Sequence, residues 1–235
     1  MDISYSDKYP YIKKNYIALR EEISDIARGV GIKTPTLVCV TKSGTDEELL
    51  ALAESGAVNI GENRPGEVKR RFELLTGAGF SPLMHEIGTL QRNKVKLIVD
   101  NVSLIHSVDS DKLAYDIDRL AGARGRRIPV LIEVNSADEE NKSGISAEDC
   151  FKLAQRVLSY PNLELKGLMT MGPVCSDPED LRPYFRMTKK LFDRLCAEYP
   201  LGEDPILSMG MSDSYKVAIE EGSTLVRVGR KLFIK

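Results

Sequence analysis

Short β-type runs alternate with amphipathic helical patterns along nearly the whole chain, and this alternation constrains the fold more than any other feature. Two consecutive strands that are joined by a helix run parallel, because the helix carries the chain back to the same edge of the sheet. About eight such β/α units are what a closed parallel barrel needs. The predicted strands are Thr36–Thr41, Val58–Ile60, Met84–Ile87, Leu104–Ser107, Ile128–Val134, Leu163–Met169, Ile206–Ser208 and Thr224–Val228.

One extra helix precedes this series, from about Tyr9 to Gly29, because apolar residues recur there at helical spacing. The glycines that follow are typical of a helix stop. The helices predicted between the strands are Asp46–Ser55, Glu67–Leu75, Asn93–Val99, Ser110–Leu120, Ala147–Leu158, Pro178–Glu198 and Tyr215–Glu221.

An open, doubly wound sheet would show the same alternation, usually with fewer strands, and would carry a glycine-rich fingerprint after its first strand. The first predicted strand leads instead into Lys42. The chain has no linker-like stretch, low-complexity tract or internal repeat. We therefore predict a single α/β domain over residues 1–235: a (β/α)8 TIM-type barrel with an extra N-terminal helix and no second β-domain.

Charge and cysteine content exclude several classes of function. The formal net charge is −2, which gives no electrostatic reason to expect nucleic acid or an anionic membrane as a partner. The 4 cysteines lie far apart in the sequence, without the spacing of a zinc site, and we predict no bound metal. The N-terminus lacks the apolar segment of a signal peptide, so we predict a cytoplasmic protein.

Lys42 is the first residue that points to chemistry. Side chains alternate along a strand, so Lys42 would share a face with Val38 and Val40 and stand at the carboxyl end of the first strand. Active sites of barrels gather at that end, where a lysine amine can attack an aldehyde. A lysine that simply leaves the strand for solvent is the alternative, and it is favoured when this segment is taken alone.

The last two strands supply a second signal. The segment Ser208–Ser212 (SMGMS) follows the seventh predicted strand, and Gly229-Arg230 follows the eighth. Loops after strands seven and eight frequently hold phosphate groups in barrels, although serine and glycine loops are often helix caps. Arg227 lies on the same face of the eighth predicted strand as Leu225 and Gly229. Two roles for its side chain are equally favoured: reaching the barrel mouth, or forming a structural ion pair.

Three other segments have simpler interpretations. Gly61-Glu62-Asn63 closes the second strand and is typical of a turn with a capping asparagine. His85 and His106 have no metal or triad spacing around them, so buried or capping roles are predicted. The basic run from Gln91 to Lys96 predicts a solvated helix face, with a phosphate-binding or partner surface as the less favoured alternative.

Taken together, these segments resemble the pyridoxal-phosphate homeostasis proteins, also called proline synthetase co-transcribed homologues, which are similar in fold to the N-terminal barrel of alanine racemase. The resemblance spans nearly the whole chain. The motifs that carry it, in their order along the chain, are Val40-Thr41-Lys42, Gly61-Glu62-Asn63, His85-Glu86-Ile87-Gly88, Leu90-Gln91-Arg92-Asn93-Lys94, Lys142-Ser143-Gly144-Ile145, Gly167-Leu168-Met169, Leu207 through Ser212 and Gly222 through Gly229.

The resemblance implies pyridoxal 5′-phosphate (PLP) as cofactor. The positions that match the family's binding residues are Lys42 for the Schiff base, Ser208, Gly210, Met211 and Ser212 for the phosphate loop, Gly229 and Arg230 beside it, Arg227 opposite the pyridine nitrogen, and Asn63 and Met169 along the cofactor. Arg230 departs from the small hydroxyl residue that the family commonly has there. It would add a charge-assisted contact to the phosphate.

The resemblance favours a carrier that serves PLP homeostasis and delivers the cofactor to apo-enzymes without robust turnover. Because a lone barrel needs no second subunit, we predict a monomer. A cation beside the pyridine nitrogen makes the ring a poorer electron sink, which weakens carbanion chemistry but leaves aldehyde capture unaffected. A small PLP-dependent racemase or lyase acting on an amino acid is one alternative. A phosphate-binding barrel in which Lys42 only forms ion pairs is another.

Overall fold

The computed structural model describes residues 4–137 and 143–235. Within these ranges, eight strands close into one parallel barrel in the order in which they occur along the chain. The strands are β1 (Thr36–Val40), β2 (Asn59–Glu62), β3 (Leu83–Glu86), β4 (Val102–Val108), β5 (Ile128–Glu133), β6 (Leu163–Met169), β7 (Ile206–Ser208) and β8 (Leu225–Val228). The barrel with its extra N-terminal helix is therefore confirmed.

Helices surround the barrel and precede it. They are α1 (Tyr5–Lys8), α2 (Pro10–Gly29), α3 (Asp46–Glu54), α4 (Pro65–Gly77), α5 (Val95–Ile98), α6 (Asp111–Gly122), α7 (Cys150–Ser159), α8 (Arg182–Glu198) and α9 (Tyr215–Glu220). Two predicted helices are shorter than expected. A 3₁₀ turn at Arg92–Lys94 precedes α5, and another at Pro178–Leu181 precedes α8.

The N-terminal helix α2 is held by its apolar face, as predicted. Ile12, Tyr16, Leu19 and Ile23 are buried and belong to the core between the barrel and its outer helices. A polar contact adds to this packing, because Tyr215 in α9 donates a hydrogen bond to Glu22 Oε2 at 2.5 Å.

A separate apolar cluster lies inside the barrel. It consists of Val38, Leu104, Leu131, Met169 and Leu225, with Ile206 packed against it. Alternation along each strand puts the residue two positions further on above this cluster, on the same inward face.

On four of the six strands that contribute to this cluster, the next inward position is polar. These residues are His106 after Leu104, Glu133 after Leu131, Ser208 after Ile206 and Arg227 after Leu225, and all four are buried. The barrel thus changes from apolar to polar toward the carboxyl ends of its strands, which is the end where barrel active sites lie.

Across residues 4–137 and 143–235, no helix is long and apolar enough to cross a membrane. The same residues contain no cluster of histidine, cysteine and acidic side chains that is suited to a metal ion. Lys142, part of one motif that carries the family resemblance, lies outside the described residues.

Candidate functional site

Three segments meet at the mouth where β7, β8 and β1 end. The backbone N–H of Gly229 donates a hydrogen bond to Ser212 Oγ at 3.2 Å, which ties the end of β8 to the loop after β7. On its other side Gly229 lies against β1, since a Cβ atom at this position would fall 2.8 Å from the carbonyl oxygen of Val40. Lys42 follows Val40 by two residues, so barrel closure brings Lys42 and the loop at Ser212 to one rim.

Lys42 itself lies in a turn. Strand β1 ends at Val40, one residue earlier than predicted, and Gly44 N–H donates to the carbonyl of Thr41 at 2.9 Å. Thr41 is fully buried, whereas Lys42 is exposed. The exposure of Lys42 agrees with the alternative that its side chain leaves the strand for solvent. Its place just after β1 agrees with the prediction that it stands at the barrel mouth.

Buried groups outside the barrel hold this turn in place. Thr41 Oγ1 donates to the carboxylate of Glu62, which is itself buried. Arg71 in α4 donates from its two terminal nitrogens, at 2.8 Å to the carbonyl of Gly44 and at 3.0 Å to Asp46 Oδ1. The backbone on either side of Lys42 is therefore anchored although the lysine side chain is exposed.

The loop after β7 is built to approach a ligand with its backbone. Gly210 has φ +91°, a left-handed conformation that favours glycine, and a Cβ atom there would fall 2.5 Å from that of Ala218. Met211 N–H donates to Ser214 Oγ at 3.1 Å. In the part of the chain that the structure describes, the N–H groups of Gly210 and Ser212 have no acceptor. Unpaired N–H groups in such a turn favour an anion.

Arg227 lies under the mouth and is 3% exposed. It donates to Ser208 Oγ and, at 3.0 Å, to the carbonyl of Thr170. Burial lowers its pKa to about 10, so it remains charged at neutral pH. No carboxylate among the described residues forms a salt bridge with it, but the charge of Glu133 stabilises the charged guanidinium and opposes the lowering of its pKa. The side chain of Ser208, which is predicted to belong to the phosphate loop, bonds Arg227 in the barrel interior.

Met169 and Glu133 line the same interior, next to Ser208. The strand register pairs Met169 with Ser208 and Glu133 with Met169. Burial raises the pKa of Glu133 to about 7, with Asp109 adding to the rise and Arg227 opposing it. Glu133 was missed from the sequence, although its charge at an inward position of a predicted strand was a usable signal.

The remaining predicted residues lie at the rim. Asn63 is exposed after β2 and is not the predicted helix cap, because α4 has Arg64 as its N-cap residue. Met211 is 39% exposed. Arg230 is exposed and forms an ion pair with Asp213, so its charge already has a partner.

His85 and His106 are buried, as predicted, and they bond to each other rather than cap a helix. The basic run from Gln91 to Lys96 is exposed except at Val95, which confirms its assignment to a solvated face.

A closed parallel barrel with a lysine and a loop of unpaired N–H groups at its mouth is the arrangement typical of barrels that bind phosphate-bearing ligands. The chain belongs to the family described as "Alanine racemase, N-terminal domain", which matches residues 15–234. Its relatives in that family include pyridoxal phosphate homeostasis proteins. The one from Aquifex aeolicus is 41% identical over 87% of this chain and 89% of its own length.

Solved structures agree with this assignment. A protein of unknown function from Bifidobacterium adolescentis has a TM-score of 0.86 and 33% identity, covering 99% of this chain and 97% of its own. PipY of Synechococcus elongatus, solved with PLP bound, has a TM-score of 0.82 and 26% identity, covering 95% of this chain and 100% of its own. Alanine racemase of Clostridium difficile shares the fold at 14% identity, and this chain covers 57% of it.

Proposed function

We propose that this chain binds PLP at the barrel mouth as a Schiff base on Lys42, and that it carries the cofactor for PLP homeostasis. The observation that carries the proposal is the convergence of Lys42, the Ser212–Gly229 contact and Arg227 at one end of the barrel. The PLP-bound relative of similar fold and the homeostasis proteins among its relatives support it.

The residues at the mouth fit this cofactor. PLP supplies an aldehyde for a lysine amine and a ring that can act as an electron sink. Lys42 would provide the amine, and the Gly210 and Ser212 N–H groups would bind the phosphate. Ser212 Oγ and Gly229 would shape the loop, with Met211 and Arg230 at its rim. Met169 would lie against the ring, and Asn63 would line it from the residues that follow β2.

Arg227 would face the pyridine nitrogen with a charged N–H donor. A cation at that position disfavours protonation of the nitrogen, and an unprotonated ring accepts electrons poorly. Carbanion chemistry on a bound amino acid would therefore be slow, whereas capture and release of the aldehyde by Lys42 would not depend on the ring nitrogen. This difference favours a carrier over an enzyme.

A small PLP-dependent racemase or lyase is the second candidate, and Glu133 is the observation in its favour. This carboxyl group is buried beside Met169, and its pKa is raised to about 7. A group that titrates near neutral pH is suited to proton transfer. Loss of α-deuterium from amino acids incubated with the PLP-loaded protein would favour this candidate if Lys42→Ala abolished it.

The remaining parts of the proposal concern the setting of the protein. Residues 1–235 would act as one PLP-binding domain, monomeric and cytoplasmic, that delivers PLP to apo-enzymes. Incubating the loaded protein with an apo-enzyme should restore that enzyme's activity faster than the protein releases PLP into buffer.

Reduction with borohydride tests the Schiff base directly. The visible spectrum of the protein with PLP should show an imine band, and reduction should add one cofactor mass to the peptide that contains Lys42. Lys42→Ala should lose both signals. Lys33→Ala is the matched control, because Lys33 is an exposed lysine that precedes the opposite end of β1. A wild-type protein without band or adduct would leave only an anion-binding barrel.

A further inference from the structure

A chain of buried hydrogen bonds crosses the barrel interior from Arg227 to Asn59. Arg227 donates to Ser208 Oγ, and Ser208 Oγ lies 3.0 Å from His106 Nδ1. His106 Nε2 lies 2.9 Å from His85 Nδ1, and His85 Nε2 lies 3.1 Å from Asn59 Oδ1. The chain therefore joins the proposed ring-nitrogen site to the first residue of β2.

The chemistry of the two ends determines the direction of every bond between them. An arginine only donates, so the hydroxyl of Ser208 accepts from Arg227 and has its own hydrogen for His106 Nδ1. His106 then carries its hydrogen on Nε2 and donates to His85 Nδ1. His85 in turn donates from Nε2 to the amide oxygen of Asn59. The opposite direction would leave the Ser208 hydrogen without an acceptor and would place His85 Nε2 against Asn59 Oδ1 as two acceptors.

Each histidine must be neutral for this arrangement, because a protonated ring would donate from both nitrogens. Burial lowers the pKa of His85 to about 4. The pKa of His106 is lowered well below its ordinary value, first by burial and then by His85 and Arg227. Both rings therefore remain neutral at physiological pH.

We propose that His106 and His85 are positioning residues of the PLP site, whose neutral Nε2–H tautomers orient the Ser208 hydroxyl so that it accepts from Arg227. This inference rests on the proposed function, because the group positioned is the arginine at the ring nitrogen. Ser208 and the carbonyl of Thr170 are the two acceptors that orient the guanidinium. Orienting the Ser208 hydroxyl therefore orients one of the two hydrogen bonds that position the Arg227 guanidinium.

The direction of these hydrogen bonds also limits the role of the network. Each hydrogen points from Arg227 toward Asn59, so the chain presents only donors at the mouth. It positions the arginine and delivers no proton to the ring nitrogen unless all of its bonds reverse.

Nitrogen-15 NMR of the intact protein tests the tautomers without any cofactor. The chain contains only 2 histidines, so the imidazole signals can be assigned with a single variant. We expect both rings to carry hydrogen on Nε2 alone, from pH 6 to pH 8. A hydrogen on Nδ1 of His106 would overturn the proposal.

Substitutions at His106 test the positioning role. His106→Leu leaves the Ser208 hydroxyl without an acceptor, and we expect PLP affinity to fall by about tenfold, the usual effect of one unmade buried hydrogen bond. In His106→Asn an amide oxygen can occupy the place of Nδ1 and accept from Ser208, so affinity should stay within about threefold of wild type. Leu104→Val, two residues earlier on the same inward face, controls for lost packing.

Wild-type affinity in a folded His106→Leu protein would contradict the role. If that variant does not fold, His85→Leu takes its place. It removes the acceptor of His106 Nε2–H, so His106 should show a mixture of tautomers and PLP should bind more weakly. A single Nε2–H tautomer together with unchanged affinity would overturn the proposal. Failure of the wild type to bind PLP would remove the proposed function, while the wild-type tautomers would still test the hydrogen-bond chain.

Discussion

Gly229 and Val40 approach each other so closely at the barrel mouth that a methyl group at position 229 would fall 2.8 Å from the carbonyl oxygen of Val40. The contact joins β8 to β1 beside the turn that presents Lys42. The same glycine donates to Ser212 Oγ, so one residue connects the strand that precedes the lysine to the loop after β7.

Gly229→Ala should therefore disturb both the fold and the site. The added methyl forces β8 away from β1, which should destabilise the protein by about 1–3 kcal/mol, as overpacking usually does. PLP affinity should fall by at least about tenfold, because the loop and the lysine turn separate. Urea unfolding and a PLP titration measure the two effects.

Gly77→Ala is the matched control for this glycine. Gly77 lies in α4, and a Cβ atom there would meet nothing within 4 Å. An alanine should stabilise the helix by about 0.5–1 kcal/mol. A Gly229→Ala protein that behaves like Gly77→Ala would show that the close contact is not needed.

Ser212→Ala should weaken binding of PLP and of inorganic phosphate together. The hydroxyl accepts from Gly229 N–H in a buried setting, and an unpaired buried N–H costs about 1–3 kcal/mol. We expect both dissociation constants to rise about tenfold in equilibrium titrations. Ser159→Ala is the control, because Ser159 is an exposed serine of α7 that bonds only within its helix. Weaker binding of PLP with unchanged binding of inorganic phosphate would mean that inorganic phosphate binds away from this loop.

Arg71→Met should destabilise the turn that presents Lys42. Arg71 is 5% exposed, it bonds the carbonyl of Gly44, and its Nε lies 3.8 Å from the buried carboxylate of Glu62. Removing a buried cation leaves an uncompensated charge, which typically costs about 3–5 kcal/mol. Denaturant unfolding measures the loss, and the rate at which the imine band forms with PLP reports on the turn.

The neighbouring Arg70→Met is the control for Arg71. Arg70 forms exposed ion pairs with Asp46 and Glu67, and such surface pairs contribute about 0–1 kcal/mol. Equal losses in the two variants would contradict the bracing role of Arg71.

Glu86→Gln should change how stability depends on pH. Burial raises the pKa of Glu86 from 4.5 to about 8, although the Gly88 N–H opposes the rise. A raised carboxyl pKa contributes stability that is fully present below the unfolded pKa, near 4.5, and is lost as pH rises through the folded pKa near 8. A glutamine keeps an oxygen for Gly88 and never ionises. The variant should match the wild type near pH 4 and become relatively more stable as pH rises to about 8.

The measured quantity is the difference in unfolding free energy between Glu86→Gln and the wild type, and in particular its slope with pH. That slope should approach roughly 1.4 kcal/mol per pH unit between the two pKa values, from urea unfolding at several pH values. Glu73→Gln on the exposed side of α4 controls for the loss of one charge. A flat difference would mean that the carboxyl group of Glu86 has the same pKa in the folded and in the unfolded protein, so that the folded site does not disfavour its charge.

The fold was predictable because its signals are local. The spacing of apolar residues identifies β6 as a strand and α2 as a helix, without knowledge of the elements that pack against them. The predicted range of β6 agrees with the observed Leu163–Met169. Turn geometry was less predictable. The shorter α8 and the Arg64 cap of α4 depend on how the preceding loops pack.

By itself, the sequence determined the number and order of the β/α units, the family resemblance and the identity of most rim residues, because each of these depends on residue type and spacing along the chain. Only the tertiary structure decided that Ser208 turns inward to Arg227, that His85 bonds His106, and that Gly229 closes against Val40. These partners lie between 19 and 189 positions apart (227 − 208 = 19; 229 − 40 = 189), and they meet because barrel closure sets the register of eight strands at once.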